Sequence, residues 1–273
     1  NLKSNNNTIF IKEGNYINKL IKEWNSRVDK QINFEKEITD LTNKSNAEIV
    51  QLTHKLAKIT HGTCEVGINI EVFYPKSEEL IEEILNKYDT SNLSIKEFKI
   101  LCSSKESTYI QKEIEDLYRI ALKKADKQLD EQLDEHTQNY FWINNTWADT
   151  KVLDRNFFQA KISRLEQEKI NFKLELENSR QNKKQQLEQE KFILNKHPKL
   201  SKEVKRTIDF FKLMTEWREK RKKYALITNH YFNLLLEETS RRTGIKIDLL
   251  YFVLPEEVQI PLPNQLVESL PER

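Results

Sequence analysis

Four glycines in 273 residues constrain this chain more than any other feature of it. Glycine supplies the positive-φ positions on which tight β-hairpin turns and phosphate-cradling loops depend. A fold rich in either is hard to build from so few. Glu, Lys, Leu, Gln and Ile are abundant instead, and most of these, the β-branched Ile apart, lose little side-chain freedom in a helix. Hydrophobic residues make up 37% and charged residues 32%, enough for a core but lean for a compact globule. The chain therefore reads as all-α: a multi-helix bundle from which a long antiparallel helical hairpin protrudes.

The periodicity fills in this outline. Residues 1–14 are polar and Asn-rich and read as a disordered lead, followed by an N-terminal helical region over 15–100. There Tyr16, Ile17, Leu20, Ile21, Trp24, Val28 and Ile32 recur at helical spacing. Ser45 with Glu48 and Ser94 with Glu97 have the spacing of capping boxes, and Ser77 is placed to cap a helix running to about Tyr88. Between Cys64 and Phe73 the pattern changes, because Val66, Ile68, Ile70 and Val72 alternate at period two. That is a strand signal, but nothing nearby offers a partner strand. A helical domain covers 101–257. It opens with a connector to Thr108 and a long helix expected over Tyr109–Trp147, with Ile114, Leu117, Ala121, Ala125, Leu129, Leu133, His136 and Tyr140 as its stripe.

The hairpin is expected over 154–243. Its first leg opens at Asp154 or Asn156 and runs to about Lys196 without Gly or Pro, His197-Pro198 stops it, Ser201 caps the return leg and Gly244 ends it. Each leg would be roughly 60 Å long at the α-helical rise. From Leu176 to Phe192 the first leg is almost wholly polar, so that portion is expected to project from the body. Residues 258–273 read as a linker toward a further domain. The chain opens at Asn1 and stops at Arg273 in a Pro-punctuated stretch, which suggests an excerpt of a longer polypeptide.

The 45 basic and 43 acidic residues nearly balance, for a net charge of +2. That gives no basic excess for nucleic acid. No run of 18 or more apolar residues suggests a membrane span, and no signal peptide opens the chain. Two cysteines, Cys64 and Cys102, without metal-ligand spacing fit a reducing cytoplasm. Dinucleotide, P-loop, zinc-protease and nucleophile-elbow motifs are all missing, and no residue is assigned as catalytic, cofactor-binding or metal-ligating. His54 and His61 can share a helix face, but no carboxylate completes a metal set with them.

What remains is a short set of candidates. His136 occupies an apolar stripe, either as a base or ligand or, more simply, as a core histidine bonded to a neighbour. Tyr140, Phe141, Trp142 and Trp147 have the makings of a stacking surface, although aromatics at helical spacing usually pack. The stretch Trp217-Arg218-Glu219-Lys220-Arg221-Lys222-Lys223-Tyr224 is the strongest local feature. Arg221 falls on the stripe Phe210, Met214, Trp217, Tyr224, Ile227, Tyr231, where a guanidinium must snorkel, pair with an acid or meet an anion. Arg218 lies one turn away, and with Arg221 and Lys222 it offers contacts for a phosphate or an acidic partner.

That stretch, with Glu237-Glu238-Thr239-Ser240-Arg241-Arg242-Thr243-Gly244 and Leu254-Pro255-Glu256-Glu257, resembles part of the phosphoenolpyruvate-utilising enzymes, the phosphoenolpyruvate synthase and pyruvate phosphate dikinase family. The matching region is the helical segment just before the swivelling phosphohistidine domain. His136, Tyr140, Trp142, Ile143, Leu153, Phe157 and the run Leu101–Ser107 are similar to it as well. The likeness covers roughly 93–257 and consists of a pattern of helices without a catalytic fingerprint. Thr60-His61-Gly62 imitates a fragment of the phospho-acceptor loop, but Thr63-Cys64-Glu65 departs from it. The resemblance implies a non-catalytic connecting region without a cofactor of its own. It implies ATP and Mg²⁺ for the parent phosphotransferase, and as partners the nucleotide-binding and swivelling domains of the same polypeptide. A stand-alone coiled-coil scaffold is the rival reading.

Overall fold

The computed structural model describes residues 14–71, 78–88, 92–104, 106–123, 128–146 and 149–270. Among them every regular element is a helix. In chain order these are α1 (Gly14–Glu35), α2 (Asn46–Glu71), α3 (Glu78–Tyr88), α4 (Ile95–Leu101), α5 (Tyr109–Leu122), α6 (Leu129–Tyr140), α7 (Arg155–Gln167), α8 (Phe172–Lys196), α9 (Lys202–Thr243), α10 (Ile247–Leu250) and α11 (Asn264–Ser269), with short 3-10 turns at Leu41–Asn43 and Pro255–Glu257. No helix among them is long and apolar enough to cross a membrane.

The caps explain most boundaries. Ser45 and Glu48 bond reciprocally at the start of α2, and Ser94 and Glu97 do the same at α4. Each pair satisfies amides that the first helical turn would otherwise orphan. Asp154 accepts from the Phe157 amide at 2.8 Å, and Ser201 accepts from that of Val204 at 3.2 Å. Gly244 ends α9 at φ 73°, the left-handed conformation that glycine adopts without a Cβ penalty.

The chain divides into two compact units. One takes residues 1–18, 71–144 and 152–223; the other takes 19–70, 145–151 and 224–273. The first unit holds two apolar clusters. In one, Ile81 and Leu85 of α3, Phe98 and Leu101 of α4 and Ile193 of α8 enclose Val204, Ile208 and Phe211 of α9, with Phe98 edge-on to Phe211 at 5.6 Å. In the other, Leu117, Ile120 and Ala121 of α5 meet Leu133, Phe158, Ile162, Leu165 and Phe172. Each large side chain buried in this way stabilises the fold by about 1.5–3 kcal/mol. In the second unit Phe34, Ile38, Ile49 and Leu56 pack on Leu235. Leu250, Val253, Val258, Leu262 and Leu270 form a neighbouring cluster. The stretch from Val258 onward, expected as a linker, is thus packed through Leu270.

Several expected elements come out differently. The alternation from Val66 lies on α2 as far as Glu71: Val66 and Ile70 are buried and Ile68 is 61% exposed. A helical one-turn repeat hides inside the period-two pattern there. The helix expected over Tyr109–Trp147 is two helices, α5 ending at Leu122 and α6 running from Leu129 to Tyr140. They lie side by side, with Tyr109 against Trp142 at 5.3 Å.

The expected first leg of the hairpin is also broken. Lys169 takes φ 55°, the Ile170 amide donates to Leu165 at 3.0 Å, and Asn171 caps α8. Ile162 and Leu165 before the break and Phe172 after it all enter one cluster. The turn at His197-Pro198 does form, and beside it Lys212 of α9 pairs with Glu190 of α8. The polar run of α8 does not stand free, because Ser179 and Lys183 bond Glu115 of α5 and Gln186 donates to the Ser104 carbonyl. The expectations at residues 1–13, Val72, Phe73, Ser77, Ala125 and Trp147 lie outside the described residues.

Candidate functional site

The densest group of titratable side chains grows from α5. Its N-terminus is fixed by Thr108 and Gln111, which form a capping box. Acids at Glu113, Glu115 and Asp116 then leave the helix in different directions, each toward another helix. Glu113 is 1% exposed and accepts from Lys161 Nζ of α7 at 2.8 and 2.7 Å. His136 Nε2 of α6 lies 3.4 Å from the same carboxylate. Burial pushes the Glu113 carboxyl up, but the hydrogen bonds from His136 and Lys161 outweigh it and hold it below the ordinary value. Glu115 follows the same logic: burial raises it, and Ser179, Lys183 and Arg119 bring it below the usual range. Tyr140 donates to Asp116 at 2.7 Å, and burial, followed by that bond, pushes its phenol up.

The network joins α5 to three other helices of its unit. His136 lies between the Tyr140 and Phe158 rings, each 4.7 Å away, and is 3% exposed. His136 is thus packed among aromatic rings beside a buried carboxylate, the arrangement expected of a core histidine bonded to a neighbour. Beside Glu115 an open cleft of about 520 Å³ runs between α5 and α8. Gln111, Glu175, Asn178 and Asn182 are among its lining residues, so amides and acids take the place of apolar packing along that part of α8.

The other candidates fall into separate places. Trp142 is buried, donates to the Asn139 carbonyl at 2.9 Å and packs on Tyr109. It is a packing residue, and the stacking surface expected around it does not form from Tyr140 and Trp142. Trp217 is 2% exposed, with the Arg221 guanidinium 5.3 Å from its ring. Arg221 approaches Glu71 at 3.2 Å and Arg218 approaches the same carboxylate at 3.5 Å. Lys222 pairs with Glu219, three residues before it. Of the seven candidates, His136 and Tyr140 share one network and Trp217, Arg218 and Arg221 another.

The second unit contains its own buried polar centre. Glu35 accepts from Thr228 at 2.6 Å and from Gln31 at 3.2 Å. Burial outweighs both bonds and raises its pKa. Near the end of α9, Glu238 accepts from Arg241 and Arg242 and is held at about 2, chiefly by the Arg241 bond. Arg242 also donates to Asn46 and to the Leu41 carbonyl, both at 2.8 Å. His54 bonds the Val258 carbonyl at 3.0 Å, and His61 is exposed. Among the described residues no group of three or more His, Cys, Asp or Glu is arranged to hold a metal ion.

Sequence reasoning missed Glu113, Lys161 and Glu71. A signal existed for the first two. Glu113 lies four residues before Leu117, and Lys161 lies between Phe158 and Ile162, so both are charges at seam positions, as Arg221 is. No family model, curated protein or solved structure matches the chain.

Proposed function

We propose that this chain is a helical connecting region with no chemistry of its own. As its resemblance implies, it spaces a mobile phosphohistidine carrier domain from a nucleotide-binding domain in a phosphoenolpyruvate synthase-like phosphotransferase. The observation that carries the reading is the use made of the buried acids. Glu113 and Glu115 are spent on ties between helices, to Lys161 and His136 in one case and to Ser179 and Lys183 in the other. A spacer needs fixed helix packing more than it needs an open reactive group. The 42-residue α9 also supports it, since one unbroken helix of roughly 63 Å carries two of the stretches on which the resemblance rests.

Phosphoryl transfer tests this reading in the full polypeptide. With labelled ATP or phosphoenolpyruvate, the label should be recovered on a histidine outside residues 1–273. Label on any of the five histidines within these residues would overturn it. A second reading, an interaction scaffold, is favoured by Leu187 and Leu194, seven residues apart and partly exposed on α8 at 40% and 39%. That is the spacing of a coiled-coil seam. Concentration-dependent self-association by ultracentrifugation, removed by Leu187→Glu, would support the scaffold over the connector.

A further inference from the structure

The hydroxyl of Thr228, in the buried polar centre of the second unit, has more contacts than it has protons. Three polar atoms surround it: Glu35 Oε1 at 2.6 Å, the Tyr224 carbonyl oxygen at 2.8 Å, and Gln31 Nε2. The Gln31 amide donates to the hydroxyl, so Thr228 has one proton of its own for two acceptors. An ionised Glu35 therefore competes with the Tyr224 carbonyl for that proton, and one contact is left without a hydrogen. A neutral Glu35 removes the conflict. Its own proton goes to Thr228 Oγ1, the Thr228 proton goes to Tyr224, and all three contacts become hydrogen bonds. Gln31 Oε1 is buried without a donor as well, so this centre is short of protons and not of acceptors.

The surroundings favour the neutral acid too. Glu35 is 2% exposed, and among the described residues no cation pairs with it. The other described buried acids each have one: Glu113 has Lys161, Glu115 has Lys183, and Glu238 has Arg241 and Arg242. A charge buried without a partner is costly, and burial is the largest influence on Glu35, raising its pKa. The titratable groups nearby on α9 are Tyr224, His230 and Tyr231. Burial raises both phenols and lowers the histidine, so all three are uncharged at neutral pH. On α1, the charge of Asp29 acts on Tyr224. On α2, Lys55 lies over the Phe34 ring and pairs with Glu37, and His54 bonds the Val258 carbonyl.

We propose that Glu35 is held as a neutral acid donating to Thr228, and that its proton operates a pH-sensitive latch between the last turn of α1 and α9. Gln31 and Glu35 lie one turn apart on α1 and hold the same hydroxyl of α9. When the proton leaves to water, the carboxylate either draws the Thr228 hydrogen away from Tyr224 or faces a bare oxygen, and a charge without a counterion stays in a buried site. The latch is therefore complete below the ordinary value of 4.5 and is lost as pH rises through the folded value. This inference does not rest on the connector reading.

Nuclear magnetic resonance of the chain with 13C-labelled glutamate side chains tests the protonation. The Glu35 Cδ resonance should titrate above 4.5, and this measurement needs no variant. Hydrogen exchange at residues 29–35, corrected for the intrinsic pH dependence of amide exchange, reads the latch. Protection should fall by up to about tenfold per pH unit between 4.5 and the folded value, then level off. Glu35→Gln puts a permanent N–H donor where the acid proton sits, so it should keep its protection across that range with helical circular dichroism intact. A Glu35 resonance that titrates at or below 4.5 would overturn the proposal. So would protection that follows pH in Glu35→Gln as it does in the parent chain.

Discussion

Replacing Lys161 by Met should destabilise the chain by about 3 kcal/mol at neutral pH. Lys161 Nζ donates twice to Glu113, whose side chain is 2% exposed. Removing the lysine strands a carboxylate among Leu117, Phe158 and Ile162. Stranding one member of a deeply buried pair costs about 3–5 kcal/mol. The low end applies here, because His136 still approaches Glu113 at 3.4 Å and the Lys161 side chain is 21% exposed, so water can enter where it ended. The pH dependence has a definite sign. In the parent chain the folded pKa of Glu113 lies below its unfolded value of 4.5, so its contribution is present above that value and lost as pH falls through the folded one. In Lys161→Met, burial, the largest single influence, is opposed by His136 alone, so the folded pKa should rise. The destabilisation should then be largest near neutral pH and shrink as pH falls toward 4.5 and protonation removes the stranded charge. Urea unfolding followed by circular dichroism measures this, and Glu113→Leu with Lys161→Met should recover most of the loss, since an apolar pair replaces a buried ion pair almost neutrally. A loss under about 0.5 kcal/mol, or one of equal size at acid and neutral pH, would refute the reasoning.

Glu35 behaves oppositely: burial raises its folded pKa, so its contribution is complete below the ordinary value of 4.5 and is lost as pH rises through the folded one. Glu35→Gln should therefore flatten the fall in stability on the alkaline side of 4.5 in a series of urea melts, and an unchanged slope would contradict this. Arg221→Met and Arg218→Met should each cost about 0.2–1 kcal/mol, because both share Glu71 and both are about a third exposed; thermal melts with either loss above about 3 kcal/mol would show a deeply buried pair instead. Gly244→Ala should cost about 1 kcal/mol from its φ of 73° alone, since nothing lies within 4 Å of an added Cβ. A neutral result in the same melts would mean that the C-cap relaxes.

Local chemistry was readable in the sequence, and long-range compensation was not. Ser45, Ser94, Asp154, Ser201 and Gly244 act where their spacing placed them, because a cap is a contact within one turn of chain. The break at Lys169 had no glycine or proline to announce it. The period-two pattern at Val66 left strand or helix open, because three apolar residues in a helix can mimic a strand when one of them, Ile68, is simply exposed. Arg221 stood out as a charge on an apolar stripe, and an acid of this chain does lie beside it. That acid, Glu71, is about 150 residues away in sequence, and nothing local to either residue names the other. His136 stood out for the same reason as Arg221, and its partner Glu113 was likewise hidden.

The central claim of the proposed connector reading is that the buried charges of this chain hold helices together and take no part in catalysis. Glu113→Gln and His136→Gln test it most directly, made in the phosphotransferase that the proposed function supposes, with thermal stability and phosphoryl-transfer turnover measured on the same samples. Melting temperatures should fall, while turnover per folded molecule stays within about twofold of the parent at a temperature where both are folded. Turnover that collapses while the melting temperature is unchanged would contradict the account.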